Sequence, residues 1–156
     1  MPLAQSKQIV AKFQFPTPDD ARDSMPVSAE YVVPAGGRAV NDVIEMANLP
    51  PNCVVTDATV HFTAGGGTAN LDWGVLSGNF GDASAATGQA RTCGNEYAAA
   101  VSVVAAGVAR LAKNQTGPNQ ADDTKAWGFR VLGSALPAGM IIRAHLYVRS
   151  EIVGMV

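Results

Sequence analysis

The chain has 156 residues with 47% hydrophobic and 15% charged residues, a length sufficient for one domain with its own core. Its net charge of −2 and its lack of Lys/Arg clusters among aromatic residues exclude the electrostatic pattern of a nucleic-acid binder, so no direct nucleic-acid partner is expected. No apolar run reaches the roughly 18 residues of a membrane span and no signal peptide is recognisable, so we expect a product made in the cytosol with no membrane partner.

Residues 1–26 are predicted to form an extended N-terminal arm. Prolines recur in this segment and remove hydrogen-bond donors, so it could contribute an edge strand at most. Phe13 and Phe15 are two residues apart and would point the same way from an extended chain. We assign them as partner-binding anchors of the arm, which packs either on its own body or on a neighbour. The rest of the chain, residues 27–156, is predicted to form one β-sandwich domain.

Short apolar runs separated by Gly- and Pro-rich turns follow the arm. None is long or periodic enough for a helix, and the first four predict strands at 28–33, 40–49, 53–62 and 69–76. The third is the clearest, because residues at every second position are largely apolar, whereas the residues between them are mixed or polar. Three consecutive glycines before the fourth permit a tight reversal with positive φ.

The second half contains two long polar loops, 77–96 and 113–125, of a length that is often functional. Between them, residues 97–111 are ambiguous because alanines favour helix and valines favour strand. We predict a short helix or turn around 95–100 and a single strand over 101–110.

Two further strands are predicted at 126–133 and 140–150, the latter with an apolar and a cationic or amphipathic parity. The total of about seven or eight strands, without helix–strand alternation, predicts an all-β fold, a two-sheet antiparallel sandwich. Trp-Gly followed by an apolar residue occurs at Trp73 and again at Trp127, which suggests related positions in the two sheets.

The two cysteines lie in a predicted strand and in a loop. This placement favours free thiols in a reducing compartment over a single bridge between Cys53 and Cys93. Cys53 is surrounded by valines, which raise the pKa of a thiol and make it inert. Cys93 lies beside Arg91 and is the better nucleophile candidate, but no orienting group is evident, and no catalytic residue is predicted.

Histidines and loop acids offer no recognisable metal site. His61 and His145 lie on predicted strands, and Asp57 or Asp72 could join them, but no short His-x-His spacing occurs. The paired acids of the loops lack the Asp-x-Asp-x-Asp-Gly ladder of a calcium loop. No metal, other cofactor or phosphate-binding loop is therefore expected.

The strand tryptophans leave two functions open. Trp73 and Trp127 would be core residues in a structural protein, whereas exposed, coplanar rings would form the platform of a lectin-like, carbohydrate-binding module. The degree of burial of these two side chains distinguishes the alternatives.

The segment 32–78 resembles small tailed-phage virion proteins, as does the closing strand 141–148. In these proteins an Asn-Asp-Val-Ile strand leads through Leu-Pro into a Val-rich strand and then into a Leu-Asp-x-Gly strand. The matching residues are Asn41, Asp42, Val43, Ile44, Leu49, Pro50, Leu71, Asp72 and Gly74.

This resemblance implies a capsid cement or decoration protein with a jelly-roll body, bound outside the head shell to the major capsid protein. It also implies self-association as a homodimer or homotrimer, and it implies no enzyme activity. The expected mechanism combines arm exchange or β-augmentation by residues 1–26 with contacts from the loops 77–96 and 113–125.

Overall fold

The computed structural model describes residues 4–5, 24–49, 53–82, 90–110 and 125–150. These ranges contain β-strands and no helix, and so no helix that could cross a membrane. The strands are β1 (Ala4–Gln5), β2 (Ser24–Val32), β3 (Val43–Leu49), β4 (Cys53–Phe62), β5 (Asn70–Val75), β6 (Ala98–Ser102), β7 (Gly107–Arg110), β8 (Lys125–Leu132) and β9 (Ile141–Ser150). The all-β prediction is confirmed.

Two sheets face each other across one apolar core. Sheet A has the order β1-β3-β8-β5-β6, and sheet B has the order β2-β9-β4-β7. The short β1 pairs in parallel with β3, and every other strand pair is antiparallel. The largest fully buried side chains include Trp73, Trp127, Tyr97 and Phe129.

The strand pairs are nested along the sequence. β5 pairs with β6, β4 with β7, β3 with β8 and β2 with β9, and these four pairs alternate between sheet A and sheet B. A long hairpin folded over itself produces this pattern, which is the jelly roll. The predicted jelly-roll sandwich is therefore confirmed.

The strand over residues 53–62 has the predicted bounds but changes its buried parity midway. Cys53 and Val55 are buried, and after a register shift between Val55 and Asp57 the buried residues are Ala58 and Val60. This β-bulge places one extra residue opposite β9 and so reverses which parity faces the core.

The single strand predicted over 101–110, with a helix or turn before it, is wrong. The chain instead forms β6 in sheet A, passes through residues 103–106, and forms β7 in sheet B. Val103 is buried at this crossing, its N–H donates to the carbonyl of Ala69, and its carbonyl accepts from Gly65. Because these tertiary contacts fix the crossing, they override the helix propensity of the alanines.

The two Trp-Gly motifs do not lie in different sheets, as the sequence suggested. They are on neighbouring strands of sheet A, where Gly74 is directly opposite Gly128 and Trp127 is opposite Val75. A Cβ atom at Gly128 would overlap the carbonyl oxygen of Ile44, so glycine permits the close approach of β3 and β8.

Two further strand starts differ from the sequence prediction by more than one residue. β2 begins at Ser24 and so includes the last three residues of the predicted arm, while the arm boundary at residue 26 itself stays a prediction. β3 begins at Val43 because Asn41, with φ of 70°, forms a turn in which Asp42 Oδ2 accepts from the N–H of Ala39 at 3.0 Å.

Candidate interaction surface

The outer face of sheet A is covered by the chain that follows β5. The backbones of Leu76 and Cys93 form an isolated antiparallel β-bridge. Their side chains pack, together with Phe80, against Ala126 of β8 and Val43 of β3. This small apolar cluster lies on the opposite side of sheet A from the main core. Sheet A is therefore buried on both faces at this place.

A buried ion pair fastens the same covering segment to β3. Arg91 bonds to the carboxylate of Glu45, and both side chains are almost fully buried. Arg91 also donates to the carbonyls of Ser77 at 2.7 Å and Asp82 at 3.0 Å, and Gly81 N–H donates to Glu45 at 3.2 Å. The arrangement neutralises two buried charges and holds the loop, which is a structural role.

A second ion pair joins β5 to β8. Asp72 accepts from Arg130 at 2.6 Å through Oδ2 and from the N–H of Ala100 at 3.0 Å through Oδ1. Asp57 is likewise paired, with Arg110 at 3.0 Å. Within the described ranges, no group of three or more His, Cys, Asp or Glu residues could hold a metal ion.

Sheet B, in contrast, exposes its outer face. We call this surface the B face, and define it by the outward residues of β2, β9, β4 and β7: Pro26, Ser28, Glu30, Val32, Ile141, Arg143, His145, Tyr147, Arg149, Asp57, Thr59, His61, Val108 and Arg110. Val108 is 58% exposed and Tyr147 is 41% exposed.

Ion pairs and hydrogen bonds connect the strands across the B face. Arg143 Nε donates to Glu30 at 2.5 Å, and Ser28 Oγ lies 2.7 Å from His145 Nδ1. The rings of His61 and His145 meet edge to face, with centroids 5.9 Å apart. The outer face of sheet B thus carries a mixture of cationic, aromatic and aliphatic groups.

A shallow cavity of about 360 Å³ opens at one end of the B face, where β4 ends and β7 and β9 begin. Phe62, Val108 and Ile141 line its apolar part, and His61 and Arg143 stand beside them. The remaining lining residues are Thr63, Ala106 and Gly107.

The tryptophans proposed for a sugar platform are core residues. Trp73 and Trp127 are both fully buried, and Trp73 stacks on Phe129 with centroids 5.6 Å apart and meets Tyr97 edge-on at 5.8 Å. Their burial counts against a carbohydrate platform formed by these residues. The proposed arm anchors Phe13 and Phe15 lie outside the described residues.

Both cysteines are free, as predicted, and the structure shows that both are buried, including Cys93, which was expected in a loop. Burial, followed by the charge of Glu96, raises the pKa of Cys93 to about 12, and burial also raises the pKa of Cys53. Arg91 is bonded to Glu45 rather than to Cys93. The Cys93 thiol therefore stays protonated near neutral pH, which makes it a poor nucleophile.

Sequence reasoning missed the buried pair of Glu45 and Arg91 and the contact between the two histidines. The only available signal for the latter was the outward parity of His145 on the predicted last strand. Pairing between distant strands decides both contacts.

One solved structure resembles nearly the whole chain. A chain in the capsid of Ralstonia phage GP4 superposes with a TM-score of 0.82 at 30% sequence identity, and the match covers 96% of this chain and 99% of that chain. The protein belongs to this phage capsid family. It is thus a capsid-related structural protein and a component of the virion.

A second solved structure is a more distant match. A chain of the Cyanophage Pam1 capsid asymmetric unit has 17% sequence identity and a TM-score of 0.47, and the match covers 88% of this chain and 94% of that chain. No family model and no curated protein sequence matches the chain.

Proposed function

We propose that this capsid-family member is a cement or decoration protein, which binds the outside of the assembled phage head and contacts major capsid protein subunits. The supporting observation is the match over 96% of the chain to a chain of a phage capsid. Before docking, the protein resides in the cytoplasm of the host. It acts as a non-enzymatic stabiliser of the shell.

Stabilisation arises from many weak contacts repeated over the shell. A protein that binds only the assembled shell lowers the free energy of that state relative to the ruptured one. Self-association as a homodimer or homotrimer multiplies the contacts without requiring a high affinity at any one of them.

We further propose that the N-terminal arm, residues 1–26, joins the copies, with Phe13 and Phe15 as its anchors. The pairing of Ala4–Gln5 with Ile44 and Glu45 of β3 supports this, because it shows that the edge of sheet A accepts an added strand. The loops 77–96 and 113–125 supply further shell contacts.

The proposal is tested with shells assembled from the major capsid protein of the same phage. Purified protein is mixed with these shells, bound protein is measured by co-sedimentation, and shell rupture is followed on heating. We expect saturable binding to assembled shells, weak binding to unassembled subunits, and rupture at a higher temperature. Equal rupture temperatures with and without bound protein would contradict the cement role.

A further inference from the structure

Resting on this proposed function, we propose that the B face is the docking surface for an extended acidic segment of the major capsid protein. An apolar side chain of that segment enters the cavity beside Val108, while its carboxylates meet Arg143 and His61. The argument depends on which sheet face is open, on the apolar groups it exposes, and on its charge.

The first argument is the asymmetry between the two sheets. Sheet A is covered outside by the Leu76–Cys93 cluster and by the loop that Arg91 fastens to Glu45. Sheet B exposes side chains from four adjacent strands. Among the described residues, sheet B is thus the sheet whose outer face is open across all of its strands.

The second argument is the distribution of exposed apolar groups. Five large apolar side chains are exposed among the described residues, and three of them, Val32, Val108 and Tyr147, belong to the B face. These three side chains are spread over the sheet, Val32 and Val108 on its two edge strands and Tyr147 toward the other end of β9. Apolar groups exposed among polar residues on one face are typical of protein–protein contacts, and each of the three offers a separate apolar contact point.

The third argument is charge. Among the described residues, the B face carries three arginines and the two carboxylates of Glu30 and Asp57, an excess of one positive charge with neutral histidines, although the whole chain has a net charge of −2. Arg143 donates to Glu30 through Nε, and its side chain is 55% exposed. Because a guanidinium has five N–H donors arranged as a fork, the terminal N–H groups can also donate to a partner. A partner carboxylate is the group that this fork binds best.

The cavity specifies the shape of the partner at one point. Its volume of about 360 Å³ is at the small end of ligand pockets, which suits one or two side chains of a peptide. The apolar lining from Phe62, Val108 and Ile141 favours an apolar side chain, and Arg143 beside it favours an acidic neighbour. An acidic segment with an apolar anchor satisfies both.

The test compares Val108→Asp with Val40→Asp. Both valines are exposed, at 58% and 41%, but Val40 lies before β3, outside the B face. A carboxylate at position 108 would repel an acidic segment and add polarity to the cavity. Binding of full-length protein to purified shells should weaken at least about tenfold for Val108→Asp and stay unchanged for Val40→Asp.

Arg143→Gln provides a second, independent measurement. It removes one positive charge, so shell binding should weaken and should depend less steeply on salt concentration than binding of the unaltered protein. Thermal unfolding of each variant shows that the fold is retained.

The outcomes separate the inference from the function on which it rests. Absence of shell binding by the unaltered protein would overturn the proposed function. Normal shell binding by both Val108→Asp and Arg143→Gln would overturn the docking surface and leave the function standing. If Val108→Asp instead converts an oligomer to a monomer, the B face joins copies of this chain, which also overturns the inference.

Discussion

Gly128 shows how a single residue limits what sheet A can accommodate. The carbonyl of Ile44 occupies the space that a side chain at this position would need, and the neighbouring atoms belong to the backbone of β3. Backbone atoms in the middle of a paired strand cannot move aside as the end of a flexible side chain can. The identity of this residue is therefore determined by β3 rather than by β8.

Gly128→Ala should destabilise the protein by about 3 kcal/mol, the upper part of the range for overpacking. Gly36→Ala is the matched control, because a Cβ there meets nothing within 4 Å and should change stability by less than about 0.5 kcal/mol. Urea unfolding of both variants measures the difference. Equal unfolding midpoints would show that β3 and β8 approach less closely than described.

The Cys93 thiol should remain unreactive in the folded protein. Burial raises its pKa from an ordinary 9.0 to about 12, so at pH 8 a thiol reagent should label it only after denaturation. Because the unfolded chain releases this proton first, Cys93 makes the free energy of unfolding fall as the pH rises from 9 to 12.

The measurement is the free energy of unfolding of the unaltered protein and of Cys93→Ala across this pH range. The advantage of the unaltered protein should shrink by up to about 1.4 kcal/mol per pH unit. A constant difference between the two would mean that the thiol is accessible to water in the folded state.

At the scale of elements, the covering loop of sheet A depends on one buried ion pair. Glu45 and Arg91 are 46 residues apart in sequence and meet without access to water, next to the apolar cluster around Leu76. Loss of one partner would leave the other charge buried and uncompensated. The loop and β3 are thus coupled through this contact.

Arg91→Ala should lower the free energy of unfolding by about 3–5 kcal/mol. Arg110→Ala removes an arginine that is also paired with a carboxylate, Asp57, but whose side chain is 72% exposed, and it should cost no more than about 1 kcal/mol. Chemical denaturation of the two variants gives the comparison. Similar losses would indicate that water reaches the Glu45 site.

The elements that could be predicted from sequence are those whose pattern is local. Alternation gave the bounds of β4 and the outward parity of His145 and Tyr147, because side chains alternate along any strand. The bulge after Val55 could not be predicted, since it is defined by the pairing with β9. The break between β6 and β7 depends on contacts of Val103 with residues 65–69.

The candidate surface could be predicted only in part, for the same reason. Polar and aromatic residues of the last strand were identified as one parity. Which sheet would be left open depends on how the loop after β5 folds over sheet A, and that loop has no periodic pattern. The fold class was therefore accessible from sequence, whereas the location of the B face was not.

For the whole molecule, we expect the arm to control association. Deletion of residues 1–23, which leaves β2 whole, should convert a dimer or trimer into a monomer, as measured by light scattering behind a sizing column. The double variant Phe13→Ala/Phe15→Ala keeps the full length and should show the same trend if these rings are the anchors. A monomer both with and without the arm would contradict arm exchange.

The nested strand order also affects when the protein can act. Ser28 on β2 and His145 on β9 are hydrogen-bonded although 117 residues separate them, and β9 lies between β2 and β4. Contacts between such distant residues slow folding, because a long loop must close before they form. Sheet B can therefore assemble only after β9 has left the ribosome, so a nascent chain that still lacks β9 cannot present the B face to a shell.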